Sequence, residues 1–300
     1  MSERDGVLIL AGMTASGKTD LAIELARRFD AEIVGADSRQ IYRGMPIGTA
    51  APSAEQLREV PHHLIAVLDP YERYSAARYA RDAVEAIAAI HGRGRRAIVA
   101  GGTGFYLRAL AGDVALAPQQ DEALRGRLAH EVRTHPAPVL WEWLAVRDPQ
   151  RAALLDRNDA YRIVRALEIA LAPGSVAPDA ARALTLRAAG IPFVKIALDV
   201  AMETIDARIA RRADAMLDSG LLDEAERIGA AALAANAVGY PQALAFLRGW
   251  STRDELRSAL VRATRRYARR QRSWFRAEPG IAWLAPEGVE AAAREKLGWP

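Results

Sequence analysis

The sequence predicts an α/β fold built around an open parallel sheet. Short apolar runs alternate with helical patterns in the first third of the chain. A long region of helical patterns follows, and an apolar run returns near residue 192. Strands that alternate with helices form parallel sheets, and such sheets bind ligands beyond the carboxyl ends of their strands. Functional residues are therefore expected where each predicted strand ends.

The first predicted strand, VLILAG, leads directly into the loop GMTASGKTD at residues 12–20. Its glycines, lysine and threonine have the G-x-x-x-x-G-K-T spacing of a phosphate-binding loop, which predicts a core like that of the P-loop NTPases. Backbone N–H groups and the N-terminus of the next helix bind the anion there, and Thr19 can bind magnesium. The motif leaves the reaction open, because ATPases, GTPases and small-molecule kinases all share it. The residues predicted to hold a diphosphate or nucleotide are Gly12, Met13, Thr14, Ala15, Ser16, Gly17, Lys18 and Thr19.

Two further strands are predicted in the first third of the chain. AEIVGA ends just before Asp37, and AIVAGG ends just before Thr103. Since the ends of parallel strands meet at one edge of a sheet, these residues and the loop should lie together. Position alone leaves three roles open for Asp37, namely a general base, a carboxylate near magnesium, or a cap. The glycines before Thr103 serve either close substrate approach or packing.

The chain is predicted to consist of three parts. Residues 1–114 form the first part of the core, and residues 115–190 form a helical insertion with patterns such as VLWEWLAV and NDAYRIVRALEIAL. Residues 191–300 complete the core with the strand PFVKIAL and continue into helices. The fold expected from this pattern is a P-loop core with a helical insertion domain and a helical C-terminal part.

Composition limits the possible functions. The chain has no cysteine, which excludes disulfides and thiolate metal sites and favours the cytoplasm. No apolar run is long enough for a membrane span, and no self-complementary patch is evident, so a monomer is expected. His62 and His63 point to opposite sides of a strand and have no nearby partner ligand, which favours a structural role. Magnesium is the only metal expected.

The segment VRATRRYARRQRSWFR contains seven arginines and no acidic residue. If it is one helix, the arginines fall within an arc of roughly 160°. Leu260, Tyr267, Trp274 and Phe275 lie opposite and are expected to dock on the protein. The cationic face predicts binding to a phosphate backbone, for which Arg265 and Arg269 are candidates. A kinase of small metabolites has no need for such a helix. The seven are Arg262, Arg265, Arg266, Arg269, Arg270, Arg272 and Arg276.

Taken together, these residues resemble the tRNA dimethylallyltransferases over nearly the whole chain. Eight blocks occur in the order of that family: GMTASGKTDLAIELA, DSRQIYRGMPIGTAAPS, PHHLI, GGTGFYLRAL, NDAYRIVRALEI, RIARRADAMLDSGLLDE, AVGYPQALAFL and TRRYARRQRSWFR. The resemblance implies transfer of a dimethylallyl group from dimethylallyl diphosphate to tRNA. The acceptor it implies is the exocyclic amine of the adenosine just 3′ of the anticodon, in the anticodon stem-loop. Magnesium assists, and diphosphate is released.

The resemblance also implies roles for individual residues. Asp37 matches the general base, Thr14 a loop threonine that contacts the donor, and Arg212 an arginine on the diphosphate, with Arg208 and Arg211 close by. Lys18 and Thr19, with magnesium, stabilise the departing diphosphate. The matched tRNA contacts are Asp37, Ser38, Arg39, Gln40, Thr103, Arg127, Asp159, Ala160, Tyr161, Arg162, Ile163, Asn236, Ala237, Val238, Gly239, Tyr240 and Pro241.

The sequence departs from the family pattern at three places. Met13 replaces a proline without changing the spacing of the loop. Ala160 and Tyr161 replace proline and glutamine, and Pro241 replaces a basic residue, which alters expected RNA contacts. Tyr161 can stack on a base instead.

Three other functions remain as alternatives: an adenylate prenyltransferase, a P-loop small-molecule kinase, and a non-catalytic RNA binder controlled by a nucleotide. The arginine helix argues against the first two, and Asp37 beside an intact loop argues against the third.

Overall fold

The structure is a computed structural model that describes residues 6–114, 122–171, 184–235 and 237–300. The chain divides into two compact units, Met1–Val114 with Leu184–Pro300, and Ala115–Ala183. The helical insertion expected over residues 115–190 therefore ends earlier, at Ala183. Residues 184–190 belong to the first unit, where the buried Leu186 donates its N–H to the carbonyl of Leu110 at 2.8 Å. Residues 184–190 have no strand pattern in the sequence, and for this reason they were expected to belong to the insertion.

The first unit contains a six-stranded parallel sheet, as predicted. Its strands lie in the order β3-β2-β4-β1-β5-β6, and β1 is central because it pairs with β4 on one side and β5 on the other. The strands are β1 (Val7–Ala11), β2 (Ala31–Gly35), β3 (His62–His63), β4 (Arg96–Gly101), β5 (Phe193–Leu198) and β6 (Ile281–Leu284). The pattern did not predict β6, which has only four residues and lies between prolines.

Helices cover both faces of the sheet and its carboxyl edge. In the first unit they are α1 (Lys18–Arg28), α2 (Pro46–Thr49), α3 (Ala54–Glu59), α4 (Ala76–Gly92), α5 (Gly104–Ala111), α10 (Met202–Asp218), α11 (Leu221–Ile228), α12 (Ala230–Ala234), α13 (Tyr240–Leu247), α14 (Arg253–Arg276) and α15 (Val289–Leu297), with a 3-10 turn at Pro286–Gly288. The longest, α14, begins with a capping box in which Thr252 and Glu255 bond each other's backbone N–H groups. No helix in the described ranges is both long and apolar enough to cross a membrane.

Two apolar clusters among the described residues connect the sheet and the phosphate loop to surrounding helices of the first unit. One joins the buried strands to α1 and α15, and includes an edge-to-face pair of Phe29 and Trp299 with ring centroids 5.2 Å apart. The other joins the phosphate loop to α10, α11, α13 and α14. Met13, 1% exposed, packs in this second cluster, so the residue that replaces the usual proline fills an apolar gap. The second cluster fixes the C-terminal helices against the loop.

The second unit is helical, with α6 (Glu122–Thr134), α7 (Ala137–Arg147), α8 (Pro149–Ala152) and α9 (Ala160–Leu171) in its described part. Its core contains Leu128, Leu140, Leu144, Ile163 and Leu167. Glu168, 8% exposed, accepts charged hydrogen bonds from Arg125 and Arg165. Paired in this way, the buried carboxylate links α6 to α9.

Candidate active site

A cavity of about 680 Å³ opens at the carboxyl ends of β1, β2 and β4. It lies entirely within the first unit, and its walls come from the phosphate loop, the turns after β2 and β4, and helices α10, α13 and α14. The predicted site residues that line it are Thr14, Ala15, Gly17, Lys18, Thr19, Asp37, Ser38, Arg39, Gln40, Thr103, Arg212, Ala237, Val238 and Pro241. Residues far apart in the chain thus meet at the edge that the strand pattern predicts.

The phosphate loop connects β1 to α1 through a left-handed turn. Gly17 has φ 89° and immediately precedes the helix, so the helix N-terminus faces the cavity. Ser16 is 2% exposed, and its hydroxyl has no hydrogen-bond partner among the described residues. A buried hydroxyl is costly without a partner. Ser16 is not among the residues that line the cavity, where the polar side chains of the loop are those of Thr14, Lys18 and Thr19.

Lys18 supplies the mobile charge of the loop. Its ammonium group donates to the carbonyl of Met13 at 3.3 Å. Burial lowers the pKa of Lys18 to about 8, the Asp37 carboxylate opposes this shift, and the Arg212 charge adds to it. An anion bound beside Lys18 would favour its charged form, so anion binding and Lys18 protonation are coupled.

Two arginines of α10 contact the loop in different ways. Arg208 donates to the carbonyl of Ser16 at 3.1 Å and supports the loop from outside the cavity wall. Arg212 lines the cavity and donates to the hydroxyl of Thr14 at 3.3 Å. Burial lowers the pKa of Arg212, and the Arg208 charge lowers it further. Of the three neighbouring arginines Arg208, Arg211 and Arg212, Arg212 is the one that lines the cavity.

Asp37 lies in the turn after β2 and lines the same cavity, where its charge acts on Lys18. Its Oδ1 accepts the N–H of Arg39 at 2.8 Å, and its Oδ2 makes no hydrogen bond within the described ranges. The Thr103 hydroxyl, at the end of β4, accepts the N–H of Ser38 at 2.9 Å. The turns after β2 and β4 are therefore joined, and one carboxylate oxygen is left for a ligand.

Helix α14 contributes a stripe of side chains to the cavity. The face opposite the arginines was expected to dock on the protein. Leu260 and Phe275 are buried, as expected, and Trp274 packs against two residues of α5, Phe105 and Arg108. The same face also lines the cavity, through Leu260, Tyr267 and Trp274 among others. The whole stripe is spaced by three or four residues and consists of Leu260, Thr264, Tyr267, Gln271 and Trp274. A signal was available, since Thr264 and Gln271 are polar residues at helical spacing within an apolar face.

Tyr267 is a member of this stripe whose hydroxyl is affected by the charge of Asp37. Burial raises the pKa of its hydroxyl, the Asp37 charge raises it further, and Thr103 is a hydrogen-bonding neighbour. The hydroxyl therefore stays protonated and able to donate inside the cavity.

The arginine face of α14 is partly neutralised by a neighbouring helix. Asp206 of α10 pairs with Arg265 at 3.2 Å and with Arg269 at 3.8 Å. Arg270 lines the cavity, with its guanidinium over the Tyr267 ring. Arg262, Arg266, Arg272 and Arg276 have no ion pair among the described residues. The segment itself contains no acidic residue, so its sequence did not indicate that Asp206 of α10 pairs with two of its arginines.

Several predicted tRNA contacts lie elsewhere. Tyr240 is fully buried, and its hydroxyl donates to Glu224 at 2.6 Å. Ile163 is likewise buried, in the core of the second unit. Their side chains hold the core rather than offer a surface, while Gly239 is the N-cap of α13. Asn236 lies outside the described residues.

The other predicted contacts lie in the second unit. Tyr161 is 82% exposed, and Arg127 is exposed as well. Asp159 accepts the N–H of Arg162 at 3.0 Å and pairs with its side chain at 3.1 Å, so it caps α9. Ala160 is the first residue of that helix.

The donor groups present suit a metal bound chiefly through its substrate. The described residues contain no cluster of three acidic, histidine or cysteine side chains that could hold a metal. His63 bonds Glu32, and His62 bonds the carbonyl of Val60, each at 2.7 Å. Thr19 offers a hydroxyl on the cavity wall at the start of α1. Magnesium commonly binds substrate phosphates and waters with one or two protein ligands, which this arrangement fits.

Comparison with known proteins is consistent with this geometry. The family model described as IPP transferase matches residues 40–278. The chain is 47% identical over 296 residues to a tRNA dimethylallyltransferase of Anaeromyxobacter sp. (strain K), with 97% of each covered. It is 41% identical to that of Geobacter sulfurreducens, covering 93% of this chain and 91% of the relative.

Solved structures give the same result. The full-length tRNA isopentenylpyrophosphate transferase of Bacillus halodurans is 33% identical, with a TM-score of 0.69 and coverage of 98% of this chain and 97% of that one. A eukaryotic dimethylallyltransferase acting on tRNA has a TM-score of 0.76 at 24% identity, covering 97% of this chain and 76% of that one, and supports the fold alone. The chain therefore belongs to the IPP transferase family, the tRNA dimethylallyltransferases.

Proposed function

We propose that this protein transfers the dimethylallyl group of dimethylallyl diphosphate to the exocyclic amine of the tRNA adenosine just 3′ of the anticodon, releasing diphosphate. One observation carries the proposal: a phosphate-binding loop and the carboxylate of Asp37 line a single cavity. The loop suits a leaving diphosphate, and the carboxylate suits an amine that must lose a proton.

The leaving-group wall consists of the loop amides, Lys18, Thr19 and Arg212. As the allylic carbon–oxygen bond breaks, its electron pair moves onto the diphosphate. Positive groups fixed before the reaction stabilise that charge without being rearranged. Thr19 is the residue proposed to hold magnesium, which when bound adds positive charge beside the diphosphate. The same wall holds the diphosphate while the carbon leaves, and no phosphoryl group is transferred.

The acceptor wall consists of Asp37 and Thr103, with the α14 stripe beside them. The amine nitrogen forms the new bond to carbon, and Asp37 takes the proton that the amine loses. An adenine must leave its stack to reach this depth. Tyr267 and Trp274 offer aromatic faces for the extruded base. Ile209, Ala213, Met216 and Leu260 offer an apolar surface for the five-carbon chain.

The rest of the tRNA is proposed to contact exposed basic residues. The arginines of α14 without a protein partner are suited to phosphates, as are Arg127 and Arg162 of the second unit. Tyr161 is suited to stacking on a base. We propose that the protein acts in the cytoplasm, in keeping with a tRNA substrate and with a sequence that contains no cysteine. A monomer suffices, because both walls of the cavity come from one chain.

The proposal is tested with dimethylallyl diphosphate, magnesium and an unmodified anticodon stem-loop with adenosine 3′ of the anticodon. Mass spectrometry should show one added five-carbon unit, and a stem-loop with guanosine at that position should show none. Parallel reactions with AMP and with ATP check the alternatives. Prenylated AMP, or ATP hydrolysis without a modified stem-loop, would contradict the proposed function.

A further inference from the structure

Gln271 of α14 lies between the two walls of the cavity. It is 5% exposed, its Oε1 accepts the N–H of Thr14 at 2.7 Å, and its Nε2 donates to the carbonyl of Gly102 at 2.9 Å. We infer that Gln271 is a positioning residue that fixes the spacing between the phosphate loop and the turn that carries Thr103. This inference rests on the proposed function.

Hydrogen bonds continue from Gln271 toward both reacting groups. On the loop side, the Thr14 hydroxyl accepts from Arg212 at 3.3 Å. On the acceptor side, Gly102 precedes Thr103, whose hydroxyl holds the N–H of Ser38 beside Asp37. Gln271 is therefore the link between the arginine proposed to bind the diphosphate and the turn that carries the proposed base. A displaced side chain at this position shifts one wall relative to the other.

The two partners require a primary amide at this position. The Thr14 N–H only donates and the Gly102 carbonyl only accepts, so the amide fits in a single orientation. Glutamate lacks the donor and places a negative charge beside the phosphate loop. Methionine matches the length of glutamine but makes neither bond. Glutamine thus satisfies two backbone groups without adding charge where a diphosphate is proposed to bind.

The backbone at Gly102 is matched to this amide. A Cβ added at Gly102 would lie 2.3 Å from the Nε2 of Gln271, whereas the next atom, the carbonyl oxygen of Gly12, would be 3.3 Å away. The missing side chain of Gly102 therefore allows the amide to approach. Changes at the two positions should be coupled, because an alanine at Gly102 acts chiefly by displacing Gln271.

The first test compares Gln271→Met with wild type in single-turnover transfer to the stem-loop. A misplacement of about 1 Å costs roughly a hundredfold in rate, so a loss of about 10- to 100-fold is expected. The dissociation constants of tRNA and of dimethylallyl diphosphate should change by less than about threefold, since Gln271 contacts protein groups and only borders the cavity. Leu256→Ala, a buried change on the same helix outside the cavity, is the control for lost stability. It should lower the melting temperature and leave the rate per bound tRNA unchanged.

The second test approaches the same contact from Gly102. Gly102→Ala alone should slow transfer, and the same change in a Gln271→Ala background should slow it much less. If either folded single variant transfers at the wild-type rate, or if the two losses simply multiply, the inference is wrong. If wild-type protein itself transfers no dimethylallyl group, it is the proposed function that fails.

Discussion

The two walls of the cavity are built in different ways. The leaving-group wall comes mostly from one short segment, the phosphate loop, whose residues occur at a fixed spacing in the sequence, and Arg212 of α10 joins it. The acceptor wall is assembled from Asp37, Thr103 and the stripe on α14, which come from three distant parts of the chain. The loop is common to many reactions, whereas the acceptor wall is not. The phosphate loop, which is the segment easiest to recognise in the sequence, therefore indicates only the class of ligand. The wall assembled from distant parts of the chain indicates which reaction that ligand undergoes.

The largest expected effect is on the acceptor wall. Asp37→Ala should reduce turnover by about 10² to 10⁴, because the amine loses its proposed base. Binding of tRNA, measured by filter retention, should survive. Glu55→Ala, an exposed acid outside the cavity, is the matched control and should leave turnover unchanged. Full turnover by the Asp37→Ala variant would show that the Asp37 carboxylate is not the base in this reaction.

A smaller loss is expected on the leaving-group wall. Lys18→Met should slow transfer by roughly 10²- to 10³-fold, since one donor to the developing charge is removed. The same substitution should also abolish a pH dependence of the affinity for dimethylallyl diphosphate. Burial lowers the pKa of Lys18 to about 8, and Lys18 is proposed to bind the diphosphate in its charged form. Affinity for the donor should therefore be full below about pH 8 and weaken as pH rises above it, by at most about tenfold per pH unit.

This pH dependence is read from the Michaelis constant for dimethylallyl diphosphate between pH 7 and pH 9.5. The Lys18→Met variant also serves as the control, because the diphosphate of the substrate titrates in the same way with either protein. An identical pH profile in wild type and variant would show that Lys18 does not meet the diphosphate.

The next prediction concerns the buried Glu224, which connects α11 to α2 and α13. Glu224, 2% exposed, accepts the backbone N–H groups of Ile47 and Gly48 and the Tyr240 hydroxyl. Tyr240→Phe should lower the free energy of unfolding by about 1–2 kcal/mol, because a buried charged acceptor loses one partner. Urea denaturation measures this change. The affinity for tRNA should be unaltered, and a large loss of affinity at full stability would make Tyr240 a direct RNA contact.

The smallest effects are expected on the arginine face. Arg266→Ala should lower the salt dependence of tRNA binding by about one phosphate contact. Arg269→Ala should lower it less, because Asp206 already pairs with Arg269. Binding measured over a series of salt concentrations compares the two, and Arg81→Ala on α4, already paired with Asp82, serves as the control. Equal slopes for Arg266→Ala and wild type would place the RNA elsewhere.

The sequence predicted those parts of the molecule that depend on local pattern. The loop, the strands that end near Asp37 and Thr103, and the parallel sheet are confirmed, because glycine spacing and apolar runs are local signals. The roles of the individual site residues stay predictions. Wrong or missing features depend on tertiary contacts. The sequence did not show that Tyr267 and Trp274 line a cavity, or that Asp206 reaches the arginines from another helix.

Gln271 shows most clearly why sequence alone was insufficient. Its partners, Thr14 and Gly102, are 257 and 169 residues away. Nothing in the local pattern of α14 distinguishes a glutamine that bonds two distant backbone groups from one that faces solvent. The role of such a residue becomes visible only when the fold brings its partners together.

The proposed reaction breaks the carbon–oxygen bond of the donor and leaves the diphosphate intact. Dimethylallyl diphosphate labelled with oxygen-18 at the bridging position, reacted with the unmodified stem-loop, shows which bond breaks. We expect all of the label to leave with the released diphosphate and the stem-loop to gain an unlabelled five-carbon unit. Label retained on the five-carbon group, or phosphate transferred to the acceptor, would show cleavage at phosphorus and contradict the proposed reaction.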